Sequence, residues 1–141
     1  MTTTLPEAPS IETVKLPAHG SADAEHAVYE GLRYLKTRWS LNNSEVSRLL
    51  RVPPTTLAGW LQKQRVPVGK PPFEPTIEAV IHLLAVHRSL EAMFTEAAHQ
   101  LAWLTTPHPE LSSAPIKLME KSTEGLVYVR RYLDYARGRG A

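Results

Sequence analysis

The chain has 141 residues and a mass of 15.7 kDa, which suits one compact domain or two small helical modules and argues against an enzyme with a deep cofactor cleft. Its 43% hydrophobic and 21% charged residues are those of a folding globular protein, and the absence of cysteine excludes disulfides, thiolate metal sites and cysteine nucleophiles. A formal charge of +2 and a pI near 9.0 permit nucleic-acid binding without requiring it, because a DNA footprint depends on clustering more than on the total.

The start, MTTTLPEAPS, lacks the basic and apolar regions of a secretory signal, and no later stretch reaches the apolar length of a membrane span. A cytoplasmic protein without membrane contact is expected. Residues 1–22 are rich in Thr, Pro, Ala and Ser, with apolar Leu5, Ile11, Val14 and Leu16 keeping no regular period. They read as a mobile arm, the alternative being an arm ordered on a second subunit. From Asp23, the recurrence of Ala27, Tyr29, Leu32, Leu35 and Trp39 predicts a first helix ending near Trp39. Gly31 inside it marks a candidate close helix contact, at a cost of roughly 1 kcal/mol relative to alanine.

Residues 43–63 carry two short helical patterns broken by Pro53-Pro54, in the layout of a helix-turn-helix. Val46, Leu50, Val52, Leu57 and Trp60 fall where two such helices touch, Ser47 is small enough to admit the second helix, and Asn43 or Ser44 and Thr55 suit the two caps. The turn position often held by glycine is Arg51, where a left-handed backbone would cost on the order of 1 kcal/mol. A recognition helix from Thr55 to Lys63 would expose Thr56, Ala58, Gly59, Gln62 and Lys63, with Thr55, Thr56, Gln62 and Lys63 as the DNA contacts on it and Arg48 and Arg51 near phosphates. Two ordinary bundle helices with no DNA contact are the competing reading.

Pro67, Gly69, Pro71, Pro72 and Pro75 then predict a module boundary, dividing a front module at 23–70 from a rear one at 71–141. Ile77, Val80, Ile81 and Leu84 lie at helical spacing on a helix running to about Phe94. Thr95 is placed as the cap of the next helix, which carries Ala98, Leu101, Ala102 and Trp103. After a loop from Thr106 to Ser113, a short helix begins near Ala114 with Pro115 in its first turn, and a final helix begins near Ser122 or Thr123 and ends at Gly138-Arg139-Gly140. No stretch reads as a strand, so the predicted class is all-α. Phe94 and Trp103, each closing an apolar stripe, are assigned to the core. The six histidines show no zinc-helix arrangement, so neither metal nor cofactor is expected.

The rear half carries more specific residues. LEAMFTEAAHQLAWLTTPHPEL from Leu90, SAPIKLM from Ser113 and STEGLVYVRRYL from Ser122 resemble the MbcA/ParS/Xre antitoxin family over about residues 77–137. Phe94, Trp103, Leu104, Thr106, Pro107, Pro115 and Gly125 occupy its motif positions, whereas His108 and Thr95-Glu96 depart from its asparagine and glycine-aspartate. The resemblance implies a non-enzymatic antitoxin of a type II toxin–antitoxin system, a front Xre-like DNA-binding module and a rear toxin-binding domain. It further implies a RES-domain toxin that consumes NAD or transfers ADP-ribose, repression of its own promoter through operator DNA, and a homodimer within the toxin–antitoxin assembly. The C-terminal residues Arg131, Tyr132, Tyr135, Arg137 and Arg139 are the expected inhibitory contacts, with a helix end that merely complements the dipole as the plainer account. A stand-alone helix-turn-helix regulator whose rear domain dimerises is the alternative function.

Overall fold

The computed structural model describes residues 22–68 and 74–140, with the side chains of Glu74 and Arg139 outside the description. The arm at 1–21 therefore lies outside the described residues. Seven helices follow in order: α1 (Ala22–Arg38), α2 (Asn43–Leu50), α3 (Pro54–Lys63), α4 (Glu74–Met93), α5 (Ala97–Thr105), α6 (Pro115–Lys121) and α7 (Thr123–Gly140). Among the described residues there is no strand, only an isolated bridge between His108 and Ser113. The chain is all-α.

The helix α4 organises the rest. Thr76, Ile77, Ala79, Val80, Leu83, Leu84, Ala85, Val86, His87, Ser89 and Leu90 are all buried, so it is covered on most of its circumference, as a central helix must be. Its neighbours are α1, α2 and α7. From α1 it receives Val28, Leu32 and Leu35, and from α7 Leu126, Val129 and Leu133, in one continuous apolar core. Gly31 does face α4, where an added Cβ would meet Leu84 at 3.4 Å and Val80 at 3.9 Å. These are ordinary contacts, so the site does not demand glycine. The same core takes in Val46, Leu49, Leu50, Leu57 and Trp60 from α2 and α3 and Ile116 and Met119 from α6. The expected front and rear modules thus share one interior.

Local chemistry sets the helix ends, and three caps differ from expectation. Asn42, not Asn43 or Ser44, caps α2: its Oδ1 accepts from the Glu45 N–H at 2.8 Å, while Glu45 Oε1 accepts from the Asn42 N–H at 2.9 Å. A reciprocal box needs a carboxylate three residues after the cap, and only Asn42 has one. At α3 the cap position is Pro53, with Pro54 opening the helix where its missing N–H costs nothing, so Thr55 sits inside the first turn. At α5 it is Glu96, not Thr95, whose carbonyl accepts from the N–H groups of His99 and Gln100. Pro115 and Ser122 stand where expected, the latter accepting from the Gly125 N–H at 2.9 Å. Pro75 belongs to the start of α4 instead of the breaker before it.

Arg51 bears the left-handed conformation, with φ 57° and ψ 43°. What offsets the strain is its side chain: the guanidinium donates to the Leu49 carbonyl and to the Met119 carbonyl of α6, each at 2.9 Å. Glycine would relieve the backbone and lose both bonds. Here the tertiary contact explains the departure from the common turn residue.

At the seam of α1 and α4, His87 is fully buried. Its Nε2 shares a hydrogen bond with the Tyr34 hydroxyl at 3.2 Å and lies 3.4 Å from Glu91, and its ring contacts those of Tyr34 and Trp39. Burial pulls its pKa below the ordinary 6.5, against the attraction of Glu91. His82, half-buried and taking a hydrogen bond from Arg130 at 2.9 Å, is lowered by burial and by that guanidinium. In both cases the unfolded chain takes up the proton first, so stability present above about pH 6.5 declines as pH falls below it. Urea midpoints measured between about pH 7 and pH 5 are expected to fall, with up to about 1.4 kcal/mol per pH unit from each histidine. His87→Gln should flatten that slope. An unchanged slope would show that His87 titrates normally in the folded chain.

Candidate functional site

The front surface is formed by α2 and α3, held together where Ser47 Oγ donates to the Val52 carbonyl at 3.0 Å and where Val46, Leu50, Leu57 and Trp60 meet in the core. On α3, Thr55, Ala58, Gln62 and Lys63 are exposed and Thr56 is half-buried. The spacing of Thr55, Ala58 and Gln62 puts them on one stripe of the helix. The two arginines assigned to phosphates are occupied within the chain: Arg51 is tied to Met119, and Arg48 Nε donates to Glu120 of α6 at 3.0 Å. Lys63, the cation of α3, is exposed beside that stripe. Behind α3 the chain returns to α1, where the Val66 N–H donates to the Glu25 carbonyl, Arg65 pairs with Glu25 at 2.8 Å, and Val66 and Val68 are buried.

The rear surface is built on α5, the loop after it and α7. Trp103 is half-buried and stacks on His108 with ring centroids 4.9 Å apart and on Tyr132 at 6.3 Å. Its assignment to the closed core is corrected, as is that of Phe94, also half-buried at the α4–α5 turn. Each packs on the core with one side only. His108 earns its place in the turn by donating from Nε2 to the Trp103 carbonyl at 2.9 Å. Beneath the turn lies Gln100, fully buried, whose Nε2 donates to the Phe94 carbonyl at 2.9 Å and whose Oε1 accepts from Arg38 at 3.3 Å.

The C-terminal residues do not converge on one face of α7. Tyr132 lies against α5 and its loop, with its hydroxyl donating to Glu110 Oε2 at 2.8 Å. Arg137 lies on the opposite side, donating to Ser89 Oγ of α4 at 3.1 Å. Tyr135, 60% exposed, and Arg131 face outward. The side chain of Arg139 lies outside the described residues. The backbone stays helical to Gly140 and does not stop at Gly138, so Tyr132, Tyr135 and Arg137 are carried on a helix and not on a loose tail.

Sequence reasoning missed His87, Gln100 and Val66, and the local signal for each was slight. No cluster of three or more metal-ligating side chains occurs among the described residues, and none of the helices is long and apolar enough to cross a membrane. What the rear half offers is an aromatic stack of Trp103, His108 and Tyr132 at the edge of the helical core. Residues 89–139 are similar to the antitoxin Xre/MbcA/ParS C-terminal toxin-binding domain, whose family model matches this rear stretch of the chain. A search of curated proteins gave no match to the chain.

Proposed function

We propose that the chain is the antitoxin of a type II pair whose toxin is a RES-domain protein, held by the rear domain with its NAD cleft covered. The observation that carries this reading is the family match over 89–139. A RES-type cleft that admits NAD would carry a carboxylate near the nicotinamide ribose beside its pyrophosphate site, and arginine competes there because its guanidinium donates paired hydrogen bonds to a carboxylate and stays charged. Arg137 and Arg139 supply that chemistry, with Tyr132 and Tyr135 as rim contacts. The antitoxin itself performs no reaction.

The front helices are proposed to bind operator DNA, with Thr55, Thr56, Gln62 and Lys63 on the groove side of α3. Arg48 and Arg51 would reach phosphate only by giving up Glu120 and Met119, so base-side contacts weigh more in this account. Co-expression with the adjacent open reading frame tests the whole reading. A RES-domain protein should co-purify and be silent toward NAD, and the complex should shift promoter DNA less when Gln62 and Lys63 are alanine. Failure to co-purify would sink the antitoxin assignment, and an unchanged shift across salt concentrations would sink the DNA face.

A further inference from the structure

The arginines of the front helices end on the rear half of the chain. Between Asn43 and Lys63 the cations are Arg48, Arg51 and Lys63. Arg48 Nε donates to Glu120 Oε2 at 3.0 Å and Arg51 donates to the Met119 carbonyl at 2.9 Å, so both meet the C-terminal end of α6. That end is negative in two ways. Glu120 brings a full charge, and Met119 carries one of the last four carbonyls of the helix, which find no partner within it. Glu124, at the start of α7, also attracts Arg51, whose pKa is lowered chiefly by burial.

Glu120 has nearer cations to hand. Lys117 stands one turn before it on α6 and Lys121 directly after it, both exposed, yet the ion pair it forms among the described residues is with Arg48, 72 residues away in sequence. The Glu120 side chain is 11% exposed and that of Arg48 51%, so the acid is fixed against the fold while the base stands at the surface. A carboxylate at 3.0 Å offsets much of the attraction that a guanidinium offers to a phosphate, and it occupies the Nε–H that a phosphate oxygen would take. We propose that Glu120 stands in for a DNA phosphate on Arg48 and so holds down the affinity of the front face for nucleic acid, which rises when Glu120 is neutralised or withdrawn.

This rests on α2 and α3 being a DNA face, and it places control of that face elsewhere in the chain. Because α6 carries the carboxylate, the grip on DNA depends on where α6 sits against α2. A salt bridge that served stability alone would contribute little here, since its arginine is half exposed to water. Its consequence for charge is larger: of the three cations between Asn43 and Lys63, the two arginines are turned to the rear half and Lys63 is not.

Fluorescence anisotropy of the full chain on a random-sequence duplex of about 30 base pairs, at about 50 mM and about 200 mM salt, tests it. A random sequence suffices because phosphate contacts do not read bases. Glu120→Gln, and Glu120→Ala as a second variant, should bind about fivefold or more tighter than wild type at the lower salt. One more phosphate contact steepens the log–log salt dependence by about 0.9, so this advantage should shrink about threefold at the higher salt. Glu78→Gln, which removes the same charge from an exposed position on α4, should give only a small part of the gain. Arg48→Gln should cost the E120Q chain more than it costs wild type, by about the factor that E120Q gained. Circular dichroism checks that the variants keep their helices. If wild type binds the duplex and neither E120Q nor E120A binds it tighter, the proposal is overturned while the DNA face stands. Equal gains from E120Q and E78Q, or equal costs of Arg48→Gln in the two backgrounds, would overturn it in the same way. No binding by any of the chains at the lower salt would remove the DNA face itself, and this inference with it.

Discussion

Gly125→Ala is expected to destabilise the chain by about 3 kcal/mol or more, enough to threaten folding of a marginally stable domain. A Cβ on Gly125 would lie 2.0 Å from the Leu118 carbonyl oxygen, 2.8 Å from its carbon and 3.2 Å from Ser122 Oγ. The first two are backbone atoms, which cannot rotate away. Relief requires α6 to move off α7, and that opens the interior formed by Ile116, Met119 and Leu126. In an open helix the same change would gain roughly 1 kcal/mol. Gly59 in α3 provides the control, since a Cβ there meets nothing within 4 Å. Thermal or urea unfolding should therefore show G125A far below wild type and G59A at or above it. Equal stability of G125A and wild type would mean that α6 and α7 do not approach as closely as described.

The second large effect is functional. If the proposed function holds, deleting Tyr135 to Ala141 is expected to leave a folded chain whose toxin regains NAD turnover within the complex. Leu126, Val129 and Leu133 hold α7 to the core and remain in the shortened chain, which gives up the Arg137–Ser89 bond and a half-buried Ala136. On the proposed function, the complex loses one or two guanidinium contacts to a carboxylate of the toxin's cleft together with an aromatic neighbour. Removing such charge-assisted contacts weakens a complex by at least about tenfold. NAD consumption by the purified truncated complex is the measurement. Complete silence would place inhibition on the stacked surface of Trp103, His108 and Tyr132, and the role of the tail would be lost.

The sequence was most legible where a single local rule governs. Helical spacing located every helix, Pro115 and Ser122 opened the last two, and Trp60 fell in the core as its neighbours Leu57 and Leu61 indicated. The αL position of Arg51 was legible as a problem, though its solution was not, because the carbonyl that the side chain reaches lies 68 residues away. The same holds for Arg48, whose partner is 72 residues distant. Spacing rules see one helix face at a time, so a surface arginine and one engaged across the fold look alike. Trp103 and Phe94 were misassigned for a related reason: an apolar stripe shows which way a helix turns, not how far its neighbours extend to cover it. The family motif, by contrast, held a physical content that spacing lacked. Its glycine is Gly125, where no other residue fits without moving a helix.

The shared interior around α4 bears on how long the protein lasts. A helix walled by α1 and α2 on one flank and by α7 on the other gives neither half a boundary at which to let go alone, so opening is expected to run through the whole chain at once. A protease that engages such an opened chain would remove the front helices and the rear domain in a single event, leaving no surviving fragment that keeps one half folded without the other.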